Sequence, residues 1–112
     1  MEGNFLKMKL KNDFSDETRE LFIWNNECWW CGTNKPDALH HIVGRISDSP
    51  LNAAPIHNFK CHIGNGRLCQ YKTKSILLNK TLIYLKTNDY KLTTEDKKFM
   101  EKHKKLYEYN KS

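Results

Sequence analysis

Asp37-Ala38-Leu39-His40-His41-Ile42-Val43-Gly44-Arg45 sets two adjacent imidazoles in a run whose β-branched pair, Ile42-Val43, suits a strand. The residues ahead of it, Thr33-Asn34-Lys35-Pro36-Asp37-Ala38, read as loop, so a strand or hairpin arm is expected from Leu39 to Arg45. Neighbouring side chains on a strand leave by opposite faces. His40 and His41 can therefore serve one site only where the strand bends or lies at a hairpin edge.

Upstream of this run, Cys28 and Cys31 bracket Trp29-Trp30 as Cys-x-x-Cys, a spacing that lets two thiolates reach one tetrahedral ion from a single turn. Gly32 follows, with access to a backbone geometry that other residues resist. One such pair is half a zinc site. The other half is expected downstream in Ile56-His57-Asn58-Phe59-Lys60-Cys61-His62, with Cys61 as third ligand. His57, four residues before Cys61, and Cys69, eight after it, compete for the fourth position. The nearer His57 is preferred, although thiolate is the softer donor. Without a ligand role, Cys69 reads as a small buried apolar residue.

The 112-residue chain suits one domain, residues 1–112, whose modest apolar supply of 38% favours a metal staple. Its net charge of +6 is unevenly spread. Met1–Phe59 carries 6 Lys and Arg against 8 Asp and Glu, a net of −2, whereas Lys60–Ser112 carries 13 against 5, a net of +8. That excess suits polyanionic partners, and equally a solvated lysine-rich surface. No run of about 18 apolar residues occurs, and Glu2, Lys7, Lys9 and Lys11 occupy the place of a signal-peptide core. A soluble cytoplasmic protein with no membrane partner is expected, and in a reducing compartment four cysteines point to metal rather than disulfides.

Three helices are expected around the motif core at about 28–67. Asp13-Phe14-Ser15 offers N-cap chemistry before Asp16 and Glu17, giving a helix over about 15–26. Ile46–Pro55 reads as an irregular connection, and a short helix is expected within His57–Leu68. Two basic helices follow over about 73–109. Thr73–Lys86 carries Ile76, Leu77, Leu82, Ile83 and Leu85, and Thr94–Tyr109 carries Phe99, Met100, His103, Leu106 and Tyr107 at helical spacing. Thr93 with Asp96 matches a capping box with Asp in place of Glu.

Hydrolysis of a phosphodiester needs a deprotonated water, a cation at the phosphate and a group of near-neutral pKa to take a proton. Adjacent histidines can divide these tasks. In this setting Cys28-x-x-Cys31, His40-His41-Ile42, Asn52-Ala53-Ala54-Pro55-Ile56 and Cys61-His62 follow one another in an order that resembles the HNH endonucleases of the ββα-metal superfamily. The resemblance covers about Cys28 to Arg67. His57 stands where the pattern has a cysteine, and Asn65-Gly66 stands where many members have a further His or Asn.

The resemblance implies an α+β fold, a small zinc-stabilised ββα-metal core with one N-terminal and two C-terminal helices. It implies a DNA endonuclease that hydrolyses phosphodiester bonds by a histidine-activated water, nicking or cleaving duplex DNA through backbone contacts of weak sequence specificity. His41 is then the general base and Asn52 the residue that fixes the loop and orients it. His40 and His62 hold a catalytic Mg²⁺, Mn²⁺ or similar divalent ion, and Arg45 contacts a phosphate. Cys28, Cys31, His57 and Cys61 hold structural Zn²⁺, with Cys69 as the alternative to His57. A phage-type protein in the host cytoplasm, partnered by packaging or replication proteins, follows by the same analogy. The competing expectations are a non-catalytic zinc module that binds DNA, with His40, His41 and His62 structural, and an RNA-directed version of the same chemistry.

Other features have plainer readings. Trp29 and Trp30 suit packing inside a knuckle better than base stacking, and His103 suits packing on the apolar side of the last helix. Lys72, Lys74, Lys80, Lys97, Lys98, Lys102, Lys104 and Lys105 suit either a phosphate-tracking surface or a solvated face, with nonspecific DNA contact expected from some of them.

Overall fold

In the computed structural model, which describes residues 14–23, 25–57 and 70–109, β1 (Ala38–His41) and β2 (Ala53–Ile56) form a two-stranded antiparallel sheet. Ala38 faces Ile56, Leu39 faces Pro55, His40 faces Ala54 and His41 faces Ala53. Along the chain the sheet is preceded by α1 (Asp16–Leu21) and followed by three helices, α2 (Tyr71–Thr87), α3 (Thr94–Lys102) and α4 (Lys104–Glu108), in an α+β arrangement. A 3-10 turn, Pro50–Asn52, leads into β2.

The expected strand over Leu39–Arg45 starts one residue earlier and stops at His41. Ile42 and Val43 belong to a turn instead. Burial decides this: the Ile42 side chain is 1% exposed, and the Val43 N–H donates to the Asn52 side chain rather than to a neighbouring strand. The connection expected to be irregular over Ile46–Pro55 contains the 3-10 turn and most of β2. All four β2 residues are buried, so the strand shows none of the polar–apolar alternation that identifies a half-exposed one. Pro55 fits because its carbonyl accepts from the Trp29 N–H at 2.9 Å. A strand residue carries its N–H and C=O on the same edge, so the donor that proline lacks is missing from the edge away from β1.

Ser15 caps α1, its hydroxyl accepting from the Thr18 N–H at 3.2 Å, worth about 1 kcal/mol. The helix ends at Leu21 rather than near residue 26. Phe22 leaves it to stack on Tyr84 of α2, ring centroids 5.2 Å apart, and to meet Trp29 edge-on at 5.9 Å. Trp29 is thus a core residue, 8% exposed, with its indole N–H donating to Asn25.

α2 lays Leu77, Leu78 and Leu85 against Leu51, Ala53, Ala54 and Ile56 in one apolar cluster. The small Ala53 and Ala54 side chains let the helix approach the strand, and the Thr81 hydroxyl donates to the Ala53 carbonyl at 2.7 Å. The Thr93–Asp96 capping box is present and starts α3. The single helix expected over Thr94–Tyr109 is broken at His103 (φ −110°, ψ 26°), so the chain has three C-terminal helices among its described residues where two were expected. The break turns Tyr107 into the core and lets Asn79 of α2 donate to its carbonyl at 3.2 Å. The helix expected within His57–Leu68 lies outside the described residues after His57.

Candidate metal centre and histidine site

The Cys28–Cys31 segment folds into a tight knuckle. Glu27 and Asn34 form an isolated antiparallel bridge, the Cys28 N–H donates to the Thr33 carbonyl at 2.8 Å, and Gly32 N–H donates back to Cys28 O at 2.9 Å. Gly32 takes φ +79°, which an L side chain resists. The Cys31 N–H lies 3.5 Å from the Cys28 sulfur, a donor aimed at a thiolate. Trp29, through its bond to Pro55, ties the knuckle to β2.

β2 then delivers His57 to the knuckle. The ligand atoms of Cys28, Cys31 and His57 all lie within 4.8 Å of one another, a group that can hold a metal ion. His57 Nδ1 is 3.4 Å from Cys31 Sγ. Its Nε2 is 2.9 Å from the Asn34 carbonyl oxygen, which accepts only, so the proton sits on Nε2 and the Nδ1 lone pair faces the sulfurs. Burial pushes the Cys28 thiol up, but the backbone donors at Cys31, Trp30 and His57 outweigh it and leave the pKa lowered. Desolvation pulls His57 down, while the Asn34 carbonyl and the two cysteines prevail and raise it. Of the expected zinc ligands, three converge. Cys61 and the alternative Cys69 lie outside the described residues.

At the far end of the sheet, His41 is the last residue of β1 and is 7% exposed. Phe14, fully buried ahead of α1, stacks on its ring at 3.9 Å and 9°. Its Nε2 is 3.3 Å from Asp48 Oδ1, and the Asp48 side chain is 62% exposed. Asn52 staples the intervening loop. Its Oδ1 accepts from Val43 N–H at 2.9 Å, and its Nδ2 donates to Gly44 O at 3.0 Å and Ser47 O at 2.8 Å. Its own carbonyl accepts from Ile42 N–H at 2.9 Å. Asn52 thus grips Ile42, Val43, Gly44 and Ser47 around His41 and Asp48, and none of these bonds is to His41 itself. Gly44 permits the loop's φ of +93°.

His40 pairs with Ala54 and is half-buried, on the opposite face of β1 from His41 by strand alternation. Arg45 is exposed in the loop. His62 lies outside the described residues. Sequence reasoning missed Asp48 and Phe14 as partners of His41. Only contact across the fold reveals them, since Asp48 sits in a Ser-Asp-Ser-Pro run that reads as an ordinary turn.

Among the described residues, no helix is long and apolar enough to cross a membrane. Comparison with protein-family models, with curated proteins and with solved structures returned no match.

Proposed function

We propose that the chain is a zinc-stapled, metal-dependent DNA endonuclease of the HNH type with a ββα-metal core. The observation that carries the reading is Asn52: placed at the start of the returning strand, its side chain clamps the loop after His41 by three hydrogen bonds.

Zinc is the ion that best matches the knuckle. Zinc–sulfur and zinc–nitrogen bond lengths put tetrahedral ligand atoms about 3.5 Å apart, and Cys31 Sγ and His57 Nδ1 are separated by 3.4 Å. Cys61 is proposed as fourth ligand. The role is structural, because the ion would join the Cys28 knuckle to the end of β2.

His41 is proposed as the general base. With Asp48 Oδ1 accepting from Nε2, Nδ1 is proposed to carry the lone pair that takes a proton from water. Phe14 and the Asn52-clamped loop fix the ring between them. His40 and His62 are proposed to hold Mg²⁺ or Mn²⁺, which when bound supplies positive charge at the phosphate. Arg45, exposed on the loop, is proposed to contact a neighbouring phosphate. The charge of the C-terminal half suits DNA as partner.

One observation favours the second reading, a non-catalytic zinc module: His41 is 7% exposed beneath Phe14, as a structural histidine would be. A plasmid nicking assay with Mg²⁺ or Mn²⁺ on the parent and on His41→Ala decides between them. The nuclease reading expects nicking by the parent and its loss in the variant, with zinc content unchanged in both. A parent that never nicks leaves the zinc module, and a variant that nicks equally removes His41 as the base.

A further inference from the structure

The first turn of α2 and the joint between α3 and α4 enclose a cleft of about 670 Å³, lined chiefly by Tyr71, Lys74, Lys102, His103, Lys104 and Lys105. Its charge is strongly one-sided: Glu101 is the single carboxylate among the lining residues. The four lysines have no ion-pair partner among the described residues, where Lys98 pairs with Glu95 instead. α2 adds to the imbalance. Its N-cap, Gln70, makes no side-chain capping bond and its first turn carries no acidic residue, so the positive end of a 17-residue helix goes without a carboxylate there.

Two further features point to a ligand rather than to a solvated face. His103 Nε2 is buried and has no hydrogen-bond partner among the described residues. Burial, then the charges of Lys102 and Lys74, hold this imidazole below its ordinary pKa, which keeps it neutral near pH 7. A buried polar atom without a partner costs about 1–3 kcal/mol; Nε2 is closed off from the cleft, so a hydrogen-bonding ligand removes that cost only once the ring turns toward it. Beside the lysines, the Tyr71 and Tyr109 rings are 42% and 48% exposed, with centroids 5.0 Å apart.

We propose that this cleft seats one strand of a nucleic acid, its phosphates against Lys74, Lys102, Lys104 and Lys105 and a base against Tyr71. Cations alone would suit any polyanion. The exposed aromatic pair beside them selects a ligand with flat apolar faces, which an acidic peptide lacks. The volume is that of a small-molecule site, with room for a short stretch of one strand and none for a duplex. The cleft rests on the nucleic-acid part of the proposed function and not on its hydrolytic part.

The test is fluorescence anisotropy of the zinc-loaded full chain with a labelled oligothymidylate, across a salt series. Lys74→Gln with Lys102→Gln is expected to weaken binding on the order of tenfold and to make the slope of log K against log salt shallower by about 1.4, some 0.7 for each phosphate no longer neutralised. Lys86→Gln with Lys91→Gln removes equal charge elsewhere and is expected to change affinity less than about threefold. In the parent, the His103 imidazole resonances, assigned with His103→Gln, are expected to shift as oligothymidylate is added. That readout does not depend on any variant folding.

Equal losses in the two double variants, competition by polyglutamate as strong as by unlabelled oligothymidylate, or an unmoved His103 resonance overturns the cleft. Nicking without oligothymidylate binding overturns the cleft alone. Oligothymidylate binding without nicking overturns the hydrolytic reading alone.

Discussion

The Ser49 hydroxyl donates to Asp96 at 2.7 Å, joining the loop beside His41 to the first turn of α3 across 47 residues of sequence. Asp96 is 1% exposed and also accepts from the Tyr90 hydroxyl at 2.5 Å and from the Thr93 N–H at 2.9 Å. One carboxylate therefore caps a helix, anchors the Tyr90 ring and holds the residue next to Asp48. The distal helices are thereby tied to the geometry around His41.

Asp96→Ala is expected to destabilise the fold by roughly 2–4 kcal/mol, because it strands buried donors from three directions. Burial pushes the Asp96 carboxyl up, but the donors from Ser49, Thr93 and Tyr90 prevail and leave its pKa below the ordinary 3.8. A depressed folded-state pKa contributes stability that is present above the unfolded value and lost as pH falls through the folded one. Urea titrations should therefore show the parent losing stability below about pH 4, with the Asp96→Asn variant losing less over the same window. An identical acid limb in both proteins would refute the assignment.

Asn52 makes a sharper stereochemical prediction. Its Nδ2 serves two carbonyl oxygens, Gly44 O and Ser47 O, so an oxygen in that place faces two acceptors. Asn52→Asp, nearly isosteric, is expected to cost at least as much stability as Asn52→Ala, roughly 2–4 kcal/mol near neutral pH. Denaturant unfolding of the two variants checks the order. Parent-like stability in Asn52→Asp would show that the clamp does not hold the loop.

What the sequence made legible follows from how local each signal is. The Cys28–Cys31 knuckle, the Thr93–Asp96 box and the body of α2 are written within a few residues, and all three are present. The choice of His57 over Cys69 rested on proximity in sequence, and His57 does join the two cysteines. β2 was illegible because a strand buried on every residue, with a proline inside, carries no period-2 signature. Ile42 and Val43 misled because β-branching records a preference for extended backbone, which the Asn52 clamp and the burial of Ile42 override. The break at His103 was hidden for a related reason: helical spacing continues through it, and only packing of Tyr107 on α2 requires the turn. Asp48 and Phe14 meet His41 by tertiary contact alone.

The candidate metal centre predicts its own tautomer. His57 donates from Nε2 to the Asn34 carbonyl, so an ion held by this group would bind at Nδ1. In the zinc-loaded protein, long-range proton–nitrogen spectra of the imidazole should show Nε2 protonated and Nδ1 metal-bound. Cys28→Ser and His57→Ala are each expected to lower zinc content, and chelation to lower the melting temperature of the parent. Nε2 ligation would overturn the tautomer, whereas full zinc content in His57→Ala would exclude His57 from the set and return Cys69 to it.

His41 lies between two partners whose removal should have opposite signatures. Phe14 is fully buried and stacked on the ring, so Phe14→Ala is expected to cost about 3–5 kcal/mol of stability through the cavity it leaves. Asp48 is 62% exposed on its side chain, where an ion pair contributes little to folding, so Asp48→Asn should change stability by less than about 0.5 kcal/mol. If His41 is the base, the same substitution removes the charge that holds the proton on Nε2, and nicking should fall roughly ten- to a hundredfold. Measuring both quantities on both variants separates a ring held for chemistry from a ring held for packing. Asp48→Asn with stability and nicking both unchanged would leave Asp48 without a role in positioning His41.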